Sequence, residues 1–231
     1  MSRVACILPA AGSGRRMGGD TPKPLLPVAG TPIIARTVAG VRACPAVAEI
    51  VLVLPADDFN AHRARYAEAL GPDAVDRMVP GGTSRQQSVA RGLAALASDA
   101  AFVSVHDAVR PFATPALFAR LLAAAEAHDG ALPCTPATDT LKRLGPDGVL
   151  LETVPRADLV AVQTPQVFRR NVLEAAYAAA DDLGEAVTDD ASVVQAAGGR
   201  VAGVPGERTN LKITTPEDLR LAAALLAAGI L

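Results

Sequence analysis

Leu8-Pro9-Ala10-Ala11-Gly12-Ser13-Gly14-Arg15-Arg16-Met17, with Pro22-Lys23 just after it, decides the fold. The apolar run Val4 to Leu8 reads as a strand, and it enters a glycine-rich loop directly. Small residues let a ligand approach the backbone, and Gly12 and Gly14 can take a positive φ without a Cβ penalty. A loop of this kind makes a concavity of N–H donors suited to an anion. Arg15, Arg16 and Lys23 add full charges to those partial ones. The stretch therefore predicts a phosphate-rich ligand, in the first place a nucleoside triphosphate.

Two other glycine loops are excluded. The dinucleotide fingerprint G-x-G-x-x-G needs a third glycine where Met17 stands. Its acidic partner about 20 residues on is also missing, because the next strand begins only near Glu49. The P-loop run G-x-x-x-x-G-K-[ST] does not occur. A tight turn with exposed arginines would account for Gly-x-Gly alone, but three cations beside it favour a ligand.

Working outward, strands and helices alternate. Pro32 to Cys44 reads as a helix, Glu49 to Leu54 as a strand buried on both faces, and Asp57 to Leu70 as a helix with a polar face. A short strand, Val75 to Val79, ends in Gly81-Gly82, and Thr83 or Ser84 caps a helix reaching Leu96. The strand Ala101 to Val105 ends at His106-Asp107-Ala108-Val109-Arg110-Pro111. Thr114-Pro115 then opens a helix that runs to His128. This alternation predicts an α/β fold, a mainly parallel sheet with helices on both faces, whose ligands bind at the carboxyl ends of the strands.

The alternation breaks at 138–156, where Thr140 to Leu144, Gly145-Pro146-Asp147-Gly148 and Val149 to Val154 read as a hairpin. A lone hairpin is marginal in water, so this arm predicts a packing partner, a second subunit. Helices at Arg169–Asp181 and Asp189–Ala197, a strand at Arg200–Val204, an extended Asn210–Ile213 and a helix capped by Thr215-Pro216 complete the chain. No repeat or linker divides it, and 1–231 is expected to be one domain.

Half of the 231 residues are hydrophobic but only 3% are aromatic, so the core is built from Ala, Val and Leu. A net charge of −2 provides no basic field for nucleic acid, and the few aromatics leave little for base stacking. Three scattered cysteines suggest neither a disulfide framework nor a metal cluster, and a reduced cytoplasm is the expected setting. No signal peptide or membrane span is expected, since no apolar run is long enough. His106 beside Asp107 is read as a strand-end histidine packed on the sheet, and no protein-borne metal site is expected.

Polar clusters fall at the strand ends. The first gives Arg15, Arg16 and Lys23, the third gives Gly81 to Arg85 with Ser88, and the fourth gives Asp107 and Arg110. Later segments add Thr164, Thr188 and Lys212. Surface loops carry charge in any protein, but cations at successive strand ends point to a polyanion.

These residues carry a resemblance. Leu8-Pro-Ala-Ala-Gly-x-Gly-x-Arg with Pro22-Lys23 is similar to the signature loop of sugar-phosphate nucleotidyltransferases. Gly81-Gly82-x-x-Arg85-x-x-Ser88, Asp107-Ala-Val-Arg110-Pro111, Asp139-Thr140-x-Lys142, Thr164-Pro165-Gln166, Thr188-Asp189 and Lys212-Ile213-Thr214-x-Pro216-Glu217-Asp218 narrow it. Taken together, and in order along the chain, they resemble the 2-C-methyl-D-erythritol 4-phosphate cytidylyltransferase family of the non-mevalonate isoprenoid pathway. Thr83 stands where that family often carries Asp, and Pro24-Leu25 where Gln or Ala with an aromatic is common.

The resemblance implies a Rossmann-like nucleotidyltransferase fold. It also implies transfer of CMP from CTP to the alcohol phosphate, with pyrophosphate released and Mg²⁺ held mainly by the CTP phosphates. By resemblance, Arg16 and Lys23 stabilise the pentacoordinate α-phosphate. Ala10, Ala11, Gly12, Gly14, Gly82, Thr83 and Ser88 hold the nucleotide. Asp107, Arg110, Thr140, Thr164 and Thr188 bind the acceptor, and Arg156 and Lys212 position its phosphate. The arm 138–156 exchanges across a homodimer, so that Thr140 and Arg156 serve the neighbouring site. Some relatives carry a fused second enzyme; with this chain ending after its last helix, a single activity is expected.

The chemistry fits the missing nucleophile–base set. A phosphate monoester, with a second pKa of about 6, is mostly dianionic at neutral pH and needs no general base. The obstacle is repulsion between anions, so positioning and cations should govern the rate. Two other readings stay open: a cytidylyltransferase for another polyol phosphate such as ribitol 5-phosphate, and a nucleotide-binding module without catalysis.

Overall fold

The computed structural model describes residues 2–12, 21–180 and 188–230. Within it, Val4–Pro9 forms the first strand, β1, with Val4 to Leu8 fully buried. Side chains alternate across a strand, and β1 feeds two cores: Val4, Cys6 and Leu8 enter one and Ile7 the other. Each buried Leu or Ile contributes about 1.5–3 kcal/mol relative to exposure. The chain beyond β1 thus starts from a deeply covered strand. Gly14 and Arg16 lie outside the described residues.

A short 3-10 turn, Lys23–Leu25, and a ribbon of β2 (Pro27–Val28) and β3 (Thr31–Pro32) lead to helix α1 (Ile33–Arg42). Then come β4 (Val47–Leu54), α2 (Phe59–Leu70), β5 (Arg77–Pro80), α3 (Arg85–Ala94), β6 (Phe102–Val105) and α4 (Pro115–Ala127). These elements lie close to their predicted bounds. Ser84 caps α3 by accepting from Gln87 N, and Thr114 caps α4 by accepting from Leu117 N.

The second half differs from the sequence reading. Gly130–Pro136 is a strand, β7, that alternation alone does not reveal, because prolines at 133 and 136 argue against a strand. After the hairpin β8 (Leu141–Leu144) and β9 (Leu150–Val154) come two more short strands, β10 (Val160–Val162) and β11 (Gln166–Arg169). Helices α5 (Arg170–Ala179) and α6 (Asp190–Ala196), strand β12 (Val201–Pro205) and helix α7 (Pro216–Ala227) follow. Gly130 permits the tight crossing of β7 and β11: a Cβ there would stand 2.3 Å from Phe168 Cδ1.

The sheet runs β10-β7-β11-β6-β1-β4-β5, with β12 paired to β7. β5, β4, β1 and β6 are parallel, β11 is antiparallel to both β6 and β7, and β12 is parallel to β7. Helices cover both faces. Side chains of α1, α2 and α4 pack into the core that takes Leu8, and those of α3, α5 and α6 into the core that takes Ile7. A third cluster joins Ala222 of α7 to Val28, Val109, Phe112 and Ile213. No helix among the described residues is long and apolar enough to cross a membrane.

β8 pairs with β9 as a separate two-stranded sheet. Leu144 and Leu151 on it are each 63% exposed. Lys142, Arg143 and Glu152 stand on the same ribbon, where Lys142 Nζ donates to Thr153 Oγ1 at 2.6 Å and Arg143 pairs with Glu152 at 2.7 Å.

Candidate active site

Three strand ends and one returning segment form a cavity of about 560 Å³ at the carboxyl edge of the sheet, within the range usual for small-ligand sites. Each end is held by a ladder bond that continues past its strand. Ala10 N donates to Val53 O at 2.7 Å, Gly81 N to Leu54 O at 2.7 Å, and His106 N to Ile7 O at 2.9 Å. The cavity wall receives Ala10, Ala11 and Gly12 from the β1 end, Gly82, Thr83, Ser84, Arg85 and Ser88 from the β5 end, and Asp107 from the β6 end. Lys23 and Lys212 also line it.

The loop at Gly82 is shaped by the helix it enters. Ser88 Oγ accepts from Gly82 N at 3.1 Å and donates to Ser84 O at 2.9 Å. Gln87 Oε1 accepts from both N and Oγ1 of Thr83, at 3.0 and 2.9 Å. A Cβ on Gly82 would fall 2.2 Å from Gln87 Cβ, so only glycine fits beneath this clamp. Among the described residues no such demand is made at Gly12, whose φ is not left-handed and whose Cβ would meet none of them within 4 Å.

A charge cluster borders the same cavity. Lys212 Nζ stands 2.9 Å from Asp107 Oδ2, and Arg110 Nε stands 3.4 Å from the same oxygen. Lys212 reaches the cavity because its neighbour is pinned: Ile213 is fully buried and its N–H donates to Val109 O at 3.0 Å. Alternation in this extended segment turns Ile213 in and Lys212 out. Arg110 is buried, and its Nη1 donates to Asn210 O at 2.7 Å. Burial pushes the Asp107 carboxyl up, but Lys212, then Arg110 and Arg85, outweigh it and hold the pKa at about 2. The carboxylate is therefore ionised wherever the protein works.

His106 is wholly buried, packed edge-on to Phe118. Its Nε2 faces Arg110 O at 3.0 Å and its Nδ1 faces Thr164 Oγ1 at 3.0 Å. A carbonyl only accepts, so the proton sits on Nε2 and Nδ1 accepts from the Thr164 hydroxyl. Thr164 Oγ1 in turn accepts from Asp107 N at 3.0 Å. Thr164 and His106 thus fix the backbone that aims Asp107, as the packed-histidine reading expects.

Burial lowers the His106 pKa to about 4. An unfolded histidine titrates near 6.5. Between these values the unfolded chain binds a proton that the native one refuses, so stability falls as pH drops from 6.5 to 4, by about 3 kcal/mol from this group. Asp107 works in the same direction: its contribution is full above pH 4 and is lost as pH falls towards 2. Urea midpoints measured from pH 7 to pH 4 are expected to fall steadily. A flat profile over this range would refute the neutral, buried assignment of His106.

The remaining site residues named from the sequence lie elsewhere. Arg110 and Thr164 stand behind the cavity wall. Thr188 is exposed, one residue before the α6 cap, where Asp189 accepts from Ser192 N and from Gln166 Nε2. Gln166 Oε1 accepts from Ala191 N at 3.0 Å, and Asn210 Nδ2 donates to Thr164 O at 2.8 Å. The motifs at 164–166 and 188–189 and the extended segment that begins at Asn210 therefore meet through Gln166 and Asn210, two buried amides that sequence reasoning gave no role. Thr140 and Arg156 are exposed on the arm, and Arg156 donates to Thr138 O. Arg85, expected only as one of the strand-end cations, lines the cavity and pairs with Asp190.

Comparison with known proteins bears on the family and the fold. The family profile described as 2-C-methyl-D-erythritol 4-phosphate cytidylyltransferase matches residues 4–228. A protein of that name from Symbiobacterium thermophilum is 46% identical over 96% of this chain and 92% of its own length. One from Frankia casuarinae is 45% identical over 97% of this chain and 82% of its own. The crystal structure of the Thermus thermophilus cytidylyltransferase superposes with a TM-score of 0.78 at 38% identity, covering 97% of this chain and 99% of that one. With sequence matching across both halves and the fold reproduced, the chain belongs to the 2-C-methyl-D-erythritol 4-phosphate cytidylyltransferase family.

Proposed function

We propose that this protein transfers CMP from CTP to 2-C-methyl-D-erythritol 4-phosphate, giving 4-diphosphocytidyl-2-C-methyl-D-erythritol and pyrophosphate. The observation that carries the reading is the convergence of Lys23, Arg85 and Lys212 with the ionised Asp107 on one cavity, in a chain of this family. The nucleotide lies against Ala10 to Gly12 and the Gly82-Thr83 loop, where small residues let it approach the backbone. The acceptor lies against Asp107 and Lys212. Asp107 accepts from its hydroxyls, and Lys212 holds its phosphate.

The reaction is an in-line displacement. An oxygen of the acceptor phosphate forms a bond to the α-phosphorus of CTP as the bond to the pyrophosphate oxygen breaks. Two unit charges 4 Å apart repel by about 1 kcal/mol in water and about 4 at an effective dielectric near 20. Lys23, joined by Arg16 on the strength of the resemblance, offsets this where charge builds on the α-phosphate.

The reading includes Mg²⁺. Among the described residues no three His, Cys, Asp or Glu side chains group as a metal site. Among the described residues lining the cavity, Asp107 is the one carboxylate, with Oδ2 already facing Lys212 and Arg110. That donor set fits a cation bound chiefly by substrate phosphates, the usual manner of Mg²⁺. The bound ion would supply charge neutralisation on the triphosphate.

The proposal also includes a homodimer, through the arm 138–156, and a cytoplasmic setting, consistent with Cys6, Cys44 and Cys134 as free thiols. Pyrophosphate release from CTP is expected to depend on methylerythritol phosphate. Equal or greater release with ribitol 5-phosphate would reassign the acceptor. Tight CTP binding with no release under either acceptor would favour a module without catalysis.

A further inference from the structure

The first turn of α3 sets Arg85 on the cavity wall beside Ser84 and Ser88. Its Nη2 donates to Asp190 Oδ2 at 2.6 Å. Asp190 is fully buried in the first turn of α6, and its Oδ1 accepts from the Tyr177 hydroxyl at 2.6 Å. Each oxygen of this carboxylate thus has its own donor, one from α3 and one from α5. Burial alone would lower the Arg85 pKa. The Asp190 charge more than reverses this, and Asp107 adds to it.

A buried ion pair is weak grounds for stability, since desolvation offsets much of the attraction. What such a pair fixes well is direction. The guanidinium carries five N–H donors in a rigid fork. The bond to Asp190 anchors one end of that fork while the residue still borders the cavity. Asp107 is a second carboxylate in its electrostatic reach. Without Asp190, Arg85 would be drawn towards Asp107 and would mask a carboxylate that faces the ligand. The Tyr177 hydroxyl keeps Asp190 from turning away.

We propose that Arg85 is a further substrate-contacting cation on the acceptor side of the cavity, and that Asp190 and Tyr177 are positioning residues that hold it there. Its ligand is an oxygen of the polyol phosphate, either phosphate or hydroxyl. The inference rests on the function proposed above.

The test is steady-state pyrophosphate release, each substrate varied in turn, for wild type, Arg85→Gln, Arg85→Lys, Asp190→Asn and Tyr177→Phe. The acceptor KM should rise roughly tenfold in Arg85→Gln and Asp190→Asn and about threefold in Tyr177→Phe, the scale of a hydrogen bond to a charged group, with the CTP KM within about twofold of wild type. Arg85→Lys keeps the charge without the fork and should recover part of the loss. Tyr177→Phe keeps the ring packing, so it carries the test if the charged variants fail to fold. An unchanged acceptor KM with only a lowered Tm makes the triad purely structural and overturns the inference. A rise confined to the CTP KM overturns it as well. Should wild type release no pyrophosphate with methylerythritol phosphate, the proposed function fails separately. Calorimetric titration of methylerythritol phosphate and of ribitol 5-phosphate into wild type and Tyr177→Phe then decides the inference, and equal affinities or no binding overturn it.

Discussion

Lys23→Ala is expected to lower kcat by roughly 10²–10³, the scale of removing one preorganised transition-state donor. The CTP KM should move far less, since the charge matters most when the α-phosphate gains its fifth oxygen. The backbone that carries Lys23 is set before the ligand arrives. Pro22 and Pro24 flank it, Leu25 N donates to Pro22 O at 2.8 Å, and Leu26 N donates to Lys23 O at 3.1 Å. Pro24 is buried and Ile33 N ties Leu26 O to the start of α1 at 3.0 Å. A lysine on such a fixed turn costs little reorganisation when charge develops. Single-turnover quench at saturating substrates checks the prediction, and near-normal rates would remove Lys23 from the chemistry. The same fall is expected for Arg16→Ala, on the strength of the resemblance.

What the sequence made legible follows from which forces are local. β1, β4 and β6 announce themselves because a strand covered on both faces must be continuously apolar. Ser84, Thr114 and Thr215 mark helix starts because capping is chemistry within four residues. β7, β10 and β11 do not announce themselves. Their pairings are long-range, β7 carries two prolines, and β10 and β11 run antiparallel to their neighbours in a mainly parallel sheet. The site shows the same division. Asp107, Lys212 and the Gly82 loop were readable as charge and glycine at strand ends. Arg85, Asp190, Gln166 and Asn210 were not assigned roles, because their partners lie 105 residues away for Arg85 with Asp190 and 46 for Asn210 with Thr164. A polar residue that works by holding another leaves no spacing to read. Arg85 and Gln166 sit inside motifs and Asp190 follows one, whereas Asn210 lies two residues before the motif that starts at Lys212.

Two defective chains should rescue each other if the arm serves a neighbouring site. Thr140 and Arg156 are exposed on the arm, while Lys23 lines the cavity of the body. In a symmetric dimer with exchanged arms, a site takes its body from one chain and its arm from the other. Arg156→Ala is expected to lose most of its turnover, as is Lys23→Ala. A mixed dimer then holds one doubly damaged site and one with wild-type residues throughout. Random pairing puts both variants together in about half of the dimers, so co-expressed chains should regain about a quarter of wild-type activity. The exposed Leu144, Leu150 and Leu151 supply the apolar surface that would hold such a pair together. Recovery no greater than the sum of the two single variants would mean that the arm folds against its own body or that the chain acts alone. Sedimentation separates those cases, because only the first still permits a dimer.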